Sequence, residues 1–221
     1  MISALIIKPW FTIWLYPRVA VREIIQTQPL ILTLVIVALA SLNTTLSNFR
    51  LSVGLRSSLI AEIAPHLLVG SLFAILVFYL QVYLLQEVGS RLGGKASFEA
   101  IQAAVAWSRV PVVWALPLWA AKIAIFGPKA FPQGAMPRIN ISGIGMFFEP
   151  LGSSANEAIL FGALNVLIGV MGIWGLVILL IGLAEVQGFS IWKAIQNLLL
   201  AALVVVIPIG LFLLANLAFR L

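Results

Sequence analysis

AILFGALNVLIGVMGIWGLVILLIGLA, residues 158–184, contains no charged side chain. A helix rises 1.5 Å per residue, so this run is long enough to cross a hydrocarbon core of about 30 Å. It predicts a transmembrane helix. Three further stretches read the same way. Leu30 to Leu46, Leu67 to Leu85, and Ala194 to Phe219 are likewise apolar and free of charge.

The fifth stretch, Ile101 to Phe126, holds Arg109, Lys122, Pro111 and Pro117 among apolar residues. A membrane helix tolerates proline where neighbours repair the lost hydrogen bonds, so the segment reads as a kinked span. Trp107, Trp114 and Trp119 suit rings near the membrane interfaces. A re-entrant or broken segment is the alternative.

Composition agrees. The 221-residue chain is 62% hydrophobic and 9% charged, where a soluble domain carries about a quarter charged residues. Its mean hydropathy is +1.14. All seven acidic residues are glutamates, cysteine is absent, and His66 is the one histidine. Aspartic-protease, thiol and disulfide chemistry are excluded, as is a cysteine or multi-histidine metal site. No nucleophile and base stand at a useful spacing, and no cofactor is implied. The expectation is a protein that is not an enzyme.

A net charge of +6 would suggest nucleic acid as partner in a soluble protein. Here the basic residues fall singly or in pairs between apolar runs, as in cytoplasmic loops and anionic-headgroup contacts. No nucleic-acid partner is expected. With the N terminus inside, Lys8, Arg18, Arg22, Arg91, Lys95 and Lys193 lie on the inner side. Arg50, Arg56, Lys129, Arg138 and Arg220 lie outside. The small excess favours a cytoplasmic N terminus.

The fold class expected is an all-α, multi-pass membrane bundle of five transmembrane helices. Residues 1–29 form an N-terminal interfacial segment and 30–221 the membrane domain. Its spans fall near 30–48, 65–86, 101–126, 158–184 and 194–219. The first residues lack the pattern of a cleavable signal. Trp10 and Trp14 stand four apart. From Pro17 onward Arg18, Arg22 and Gln26 share one helical face, with Val21, Ile24, Ile25 and Gln28 roughly opposite. A helix opening on Pro17 and lying along the headgroups fits; a plain connector fits equally. The loop 127–156, rich in Gly and Pro, is expected to be irregular. Its apolar tip 144–148 suits the interface or the end of the bundle. Asn140-Ile141-Ser142 matches a glycosylation acceptor only formally.

Two helical hairpins resemble one another. After Glu87 come Gly89, Arg91, Gly93, Gly94 and Lys95, then Phe98-Glu99-Ala100-Ile101-Gln102. After Glu185 come Gly188 and Ser190, then Trp192-Lys193-Ala194-Ile195-Gln196. The glycines supply helix stops, and a cation there favours the negative end of the preceding helix.

Three stretches together resemble the Yip1-domain family, in its small prokaryotic form. They are Pro9-Trp10 through Trp14, Pro17-Arg18 and Arg22-Glu23; Trp107-Ser108-Arg109-Val110-Pro111 with Pro117; and Gly182 through Ser190 with Trp192-Lys193-Ala194. The resemblance implies a five-helix membrane domain with a cytoplasmic N terminus, in a prokaryotic cytoplasmic membrane. Eukaryotic members associate with Rab GTPases and with one another in vesicle traffic. That role does not transfer, because this chain has no aspartate for an acidic N-terminal motif and only about 29 residues before its first span.

Arg109 is the first candidate site residue, since a charge inside a span is costly unless paired, hydrated or snorkelling. With Glu87 or Glu185 it would form a polar site for an anionic headgroup or small solute; a structural ion pair is the plainer reading. Gly162, Asn165, Gly169 and Gly172 form a stripe for helix packing or a partner interface. His66 reads as interfacial at the start of the second span. Asn43, Gln81 and Ser108 read as bonds to neighbouring helices or a cavity lining. The expected partners are membrane lipids, other integral membrane proteins or a second copy of the chain. A small solute or lipid transporter and an accessory subunit of a larger complex are the alternatives.

Overall fold

A computed structural model describes residues 2–27, 30–49, 58–131 and 154–218. Most of the long loop, with its 144–148 tip, Asn140 and Arg138, lies outside the described residues, as do Arg50, Arg56, Arg220 and Gln28. Among the described residues all regular structure is helical. The helices are α1 (Ile2–Leu15), α2 (Pro17–Thr27), α3 (Leu30–Asn48), α4 (Leu59–Arg91), α5 (Phe98–Trp107), α6 (Val110–Trp114), α7 (Leu116–Phe126), α8 (Ala155–Gln187) and α9 (Ile191–Ala218). A 3-10 turn, Gly127–Ala130, follows α7.

Five segments are long and apolar enough to cross a membrane: Leu30–Asn48, Leu59–Arg91, Phe98–Ala130, Ala155–Gln187 and Ile191–Asn216. The later four start before their apolar runs do, and serine explains where. Ser58, Ser97, Ser154 and Ser190 each accept, through Oγ, the backbone N–H three residues on, at 3.2–3.3 Å. Each satisfies one donor that the first turn of a helix leaves unpaired. Pro65 consequently falls inside α4, so His66 lies in the second turn of that helix rather than at its first residue. Its Nδ1 donates to the Glu62 carbonyl at 2.9 Å, and its ring meets Phe49 edge-on.

The third span is interrupted twice rather than gently kinked. Pro111 is the second residue of α6 and Pro117 the second of α7. Each lacks an N–H and crowds the carbonyl four residues earlier, so each restarts a helix instead of continuing one. Ser108 and Ala115 close the preceding pieces with their backbone N–H groups.

The chain divides into two compact units. The first comprises Met1–Pro29, Val77–Ser108 and Val177–Leu221, the second Leu30–Leu76 and Arg109–Leu176. In the first, α5 is buried from Ala100 to Trp107, as expected for a helix of small and apolar residues on every side. The apolar edge of α2, Ala20, Val21 and Ile24, is also buried. Ile25 is 40% exposed, because it lies about 100° around the helix from Ile24 and so leaves that edge. At Gly182 a Cβ would meet the Ala104 Cβ at 3.3 Å and a Val21 methyl at 3.6 Å, which places α2, α5 and α8 in close contact.

In the second unit, Leu46, Phe49, Ile63, Trp119, Phe126, Phe131, Phe161 and Leu164 form a largely aromatic core with Ala130. Two of the tryptophans expected near interfaces are core residues instead: Trp107 is 0% and Trp119 4% exposed, while Trp114 is 40% exposed. Trp107 is enclosed within the first unit by close-packed neighbours that include Trp10, whose ring meets it edge-on at 5.8 Å.

Candidate functional site

The second unit places a lysine among aromatic rings inside its membrane helices. Lys122, on α7, is 4% exposed. Its Nζ donates to Asn165 Oδ1 on α8 at 2.8 Å. The ammonium also lies 4.3 Å from the centroids of both the Trp119 and Phe161 rings. Trp119 stands three residues before Lys122, which on a helix puts the two side chains side by side. Its indole N–H donates to Asn43 Oδ1 on α3 at 2.9 Å. Asn43, Trp119, Lys122 and Asn165 therefore link α3, α7 and α8 in one polar chain.

A buried cation needs replacement for its lost water. Here an amide oxygen and two ring faces provide it, a desolvated cation–π contact being worth about 2 kcal/mol. Among the described residues the salt bridges join Lys8 to Glu23, Arg22 to Glu185 and Arg91 to Glu87. Lys122 is in none of them.

Sequence reasoning noted Lys122 only as a charge within a span. The available signal was an aromatic three residues before it, together with asparagines in two other spans. Asn165 came from the glycine stripe, whose members differ in setting: Gly162 is buried, Asn165 and Gly169 are half-buried, and Gly172 is exposed. A Cβ at Gly172 would meet open space.

The first unit joins the two hairpin turns. Helices α4 and α8 end identically. Gly94 N–H donates to Gly89 O and Gly93 N–H to Ser90 O; Phe189 N–H donates to Ala184 O and Gly188 N–H to Glu185 O. Gly93 and Gly188 have φ of 90° and 69°, the left-handed geometry that this paired helix ending requires. Gly89 and Gly94 serve differently, leaving room for the Gln187 carboxamide, which a Cβ at either position would strike. Gln187 Nε2 and Asn197 Nδ2 both donate to the Leu85 carbonyl, at 3.3 and 3.1 Å. Lys193 Nζ donates to the Leu92 carbonyl at 3.2 Å.

The expected polar site divides between the units. Glu87 accepts from Arg91 one turn later, at 2.8 Å. Glu185 accepts from Arg22 Nε of α2 at 2.5 Å. That hydrogen bond first, and the carboxylate charge second, raise the Arg22 pKa above its ordinary value against a smaller desolvation effect. Arg109 belongs to the other unit, half-buried at the start of α6, and is not a free charge. Arg22 was legible as the polar edge of α2, but its partner lies 163 residues away.

Ser108 Oγ donates back to the Val105 carbonyl at 2.8 Å, a local helix bond rather than a cavity contact. No group of three or more His, Cys, Asp or Glu residues is positioned for a metal ion among the described residues.

No curated protein and no solved structure matches this chain. A family model described as the Yip1 domain matches residues 11–214. The match runs from within α1 almost to the end of α9 and takes in both hairpin turns and the interrupted third span. The five apolar helices and this near-complete match lead to one conclusion: the chain is a multi-pass membrane protein that belongs to the Yip1 domain family.

Proposed function

We propose that this protein acts by binding other membrane components, with the α1–α2 hairpin as its docking element, and that it is not an enzyme. One observation carries the reading: the hairpin is fastened on one side and apolar on the other. Inward, it is held by Arg22–Glu185 and by Trp10 against Trp107. Outward, Leu15, Tyr16 and Val19 are 77%, 64% and 51% exposed beside the exposed Arg18. Apolar side chains next to a cation suit the headgroup boundary or a partner helix lying there. In this reading the N terminus is cytoplasmic, in a prokaryotic cytoplasmic membrane. Arg109 of the second unit, Glu87 and Glu185 of the first, and the stripe Gly162, Asn165, Gly169 and Gly172 remain separate further contact points within the proposal.

The test is purification from native membrane in mild detergent. A stoichiometric companion protein is expected with the natural chain. Arg22→Glu should release the hairpin and lose the companion, and Arg22→Glu with Glu185→Arg should recover it. Companion binding indifferent to both variants would remove the hairpin from the mechanism.

A second reading, solute or lipid translocation, is favoured by one feature, the buried Lys122 beside an interrupted helix. Solute flux in liposomes containing only this protein would support it, and abolition of flux by Lys122→Met would assign the route.

A further inference from the structure

A groove in the first unit separates the last turns of α4 from the middle of α9. Its volume is about 490 Å³, and Val88, Leu92, Leu200, Leu203 and Ile207 form its walls. The two helices run antiparallel from their turns, since Lys193 reaches Leu92 and Asn197 reaches Leu85. Pro208, which also lines the groove, lies roughly 22 Å along α9 from Lys193 at 1.5 Å per residue. The groove is therefore long, apolar and directed into the hydrocarbon layer.

Its head is cationic. Arg91 lines the groove with a side chain 76% exposed. The Lys193 ammonium is bonded to the carbonyl of Leu92, itself a lining residue. Glu87 accepts from both Nε and Nη2 of Arg91, so Nη1 is left outside that pair and the head carries two cations, Arg91 and Lys193, to this one carboxylate. Lys95 is exposed in the same turn.

A charged mouth above an apolar slot matches one class of molecule. We propose that the α4–α9 groove binds an anionic phospholipid, with one acyl chain along Leu200, Leu203 and Ile207 and the phosphate at Arg91 and Lys193. A phosphate accepts from guanidinium and ammonium groups together, and the groove walls bury methylenes that would otherwise face disordered neighbours. The site is independent of the hairpin: among the described residues α1 and α2 contribute none to its lining, so it can fail while the proposed docking stands, and the reverse.

The test uses full-length protein in nanodiscs of phosphatidylcholine alone or with phosphatidylglycerol, followed by delipidation and native mass spectrometry. Phosphatidylglycerol should be retained in about one-to-one ratio at least tenfold more than phosphatidylcholine. Arg91→Gln with Lys193→Gln should remove that preference. Leu203→Trp, which fills the slot and leaves the charges in place, should displace the lipid and leave the fold intact by circular dichroism. Equal retention of the two lipids, or a preference that survives both variants, overturns the proposal. Inorganic phosphate that competes as well as the intact lipid would show a headgroup site without a chain and overturn it equally.

Discussion

Asn165→Leu is expected to destabilise the protein by about 3 kcal/mol, whereas the same substitution in a Lys122→Met background should be close to neutral. Asn165 supplies the oxygen that accepts from the Lys122 ammonium. A hydrogen bond to a charged group contributes about 1.5–3 kcal/mol, and a buried charge that loses its partner costs more than that bond. Leucine shares the branched side-chain skeleton of asparagine and suits the helix, so at this half-buried position the substitution removes the acceptor and adds apolar bulk. The Trp119 and Phe161 faces would remain, but ring faces alone do not replace an amide oxygen. Lys122→Met removes the cation and keeps a flexible chain whose sulfur packs well against aromatic rings. Alone it should cost about 1 kcal/mol, mainly from the orphaned Asn165 side chain. The double variant orphans nothing. Unfolding in mixed detergent should therefore reveal a coupling of about 3 kcal/mol. Strictly additive effects would mean that Lys122 draws its stability from elsewhere.

How far this centre could be read in advance turns on which information is local. Apolar run length is local, so all five spans were legible. Serine capping is local as well, yet it lies outside the apolar runs. Hydropathy therefore placed several helix starts late, although Ser58, Ser97, Ser154 and Ser190 mark them. Pro111 and Pro117 signalled a defect in the third span, but whether a proline bends or restarts a helix depends on what packs beside it. The partners of Arg22 and Lys122 were not legible, because nothing in a single sequence says which asparagine or glutamate of another helix a cation will meet. Tryptophan misled for a related reason. The indole suits both an interface and a core, and only the packed neighbours of Trp107 and Trp119 decide between them.

The matched hairpins show the same limit. The sequence reading assigned their glycines a common purpose as helix stops. In the structure, Gly93 and Gly188 stop helices by adopting positive φ, while Gly89 and Gly94 create space. The first role depends on backbone geometry within one turn and can be read from position. The second depends on Gln187, which arrives from the other hairpin. The repeat is thus more than a resemblance between turns, because the end of α8 inserts its carboxamide into the end of α4.

That insertion makes Gly89→Ala the second large expected effect. Within an ordinary exposed helix, alanine in place of glycine is favourable by up to about 1 kcal/mol, and Gly172→Ala should behave that way because its Cβ meets open space. At Gly89 the added methyl falls within van der Waals contact of Gln187 Nε2, with Gln187 Cδ at 2.8 Å and Asn197 Nδ2 at 3.0 Å. Gln187 is 4% exposed, so its displaced amide has no route to bulk water without opening the turn. The bond to Leu85 O is lost with it, and Asn197 must also yield. A buried polar group left unsatisfied costs about 1–3 kcal/mol; with the strain added, Gly89→Ala should cost about 2 kcal/mol. Gln187→Ala alone should cost about 1 kcal/mol, the worth of an ordinary hydrogen bond. Combining the two should cost less than Gly89→Ala alone, since the methyl then occupies the space the carboxamide left and only its close approach to Asn197 Nδ2 remains. Thermal unfolding of the four proteins decides the matter. A double variant less stable than Gly89→Ala would mean that Gln187 is not what the glycine accommodates. The recovery would instead establish that Gln187, which joins the two hairpin turns alongside Asn197 and Lys193, is seated against one missing methyl group.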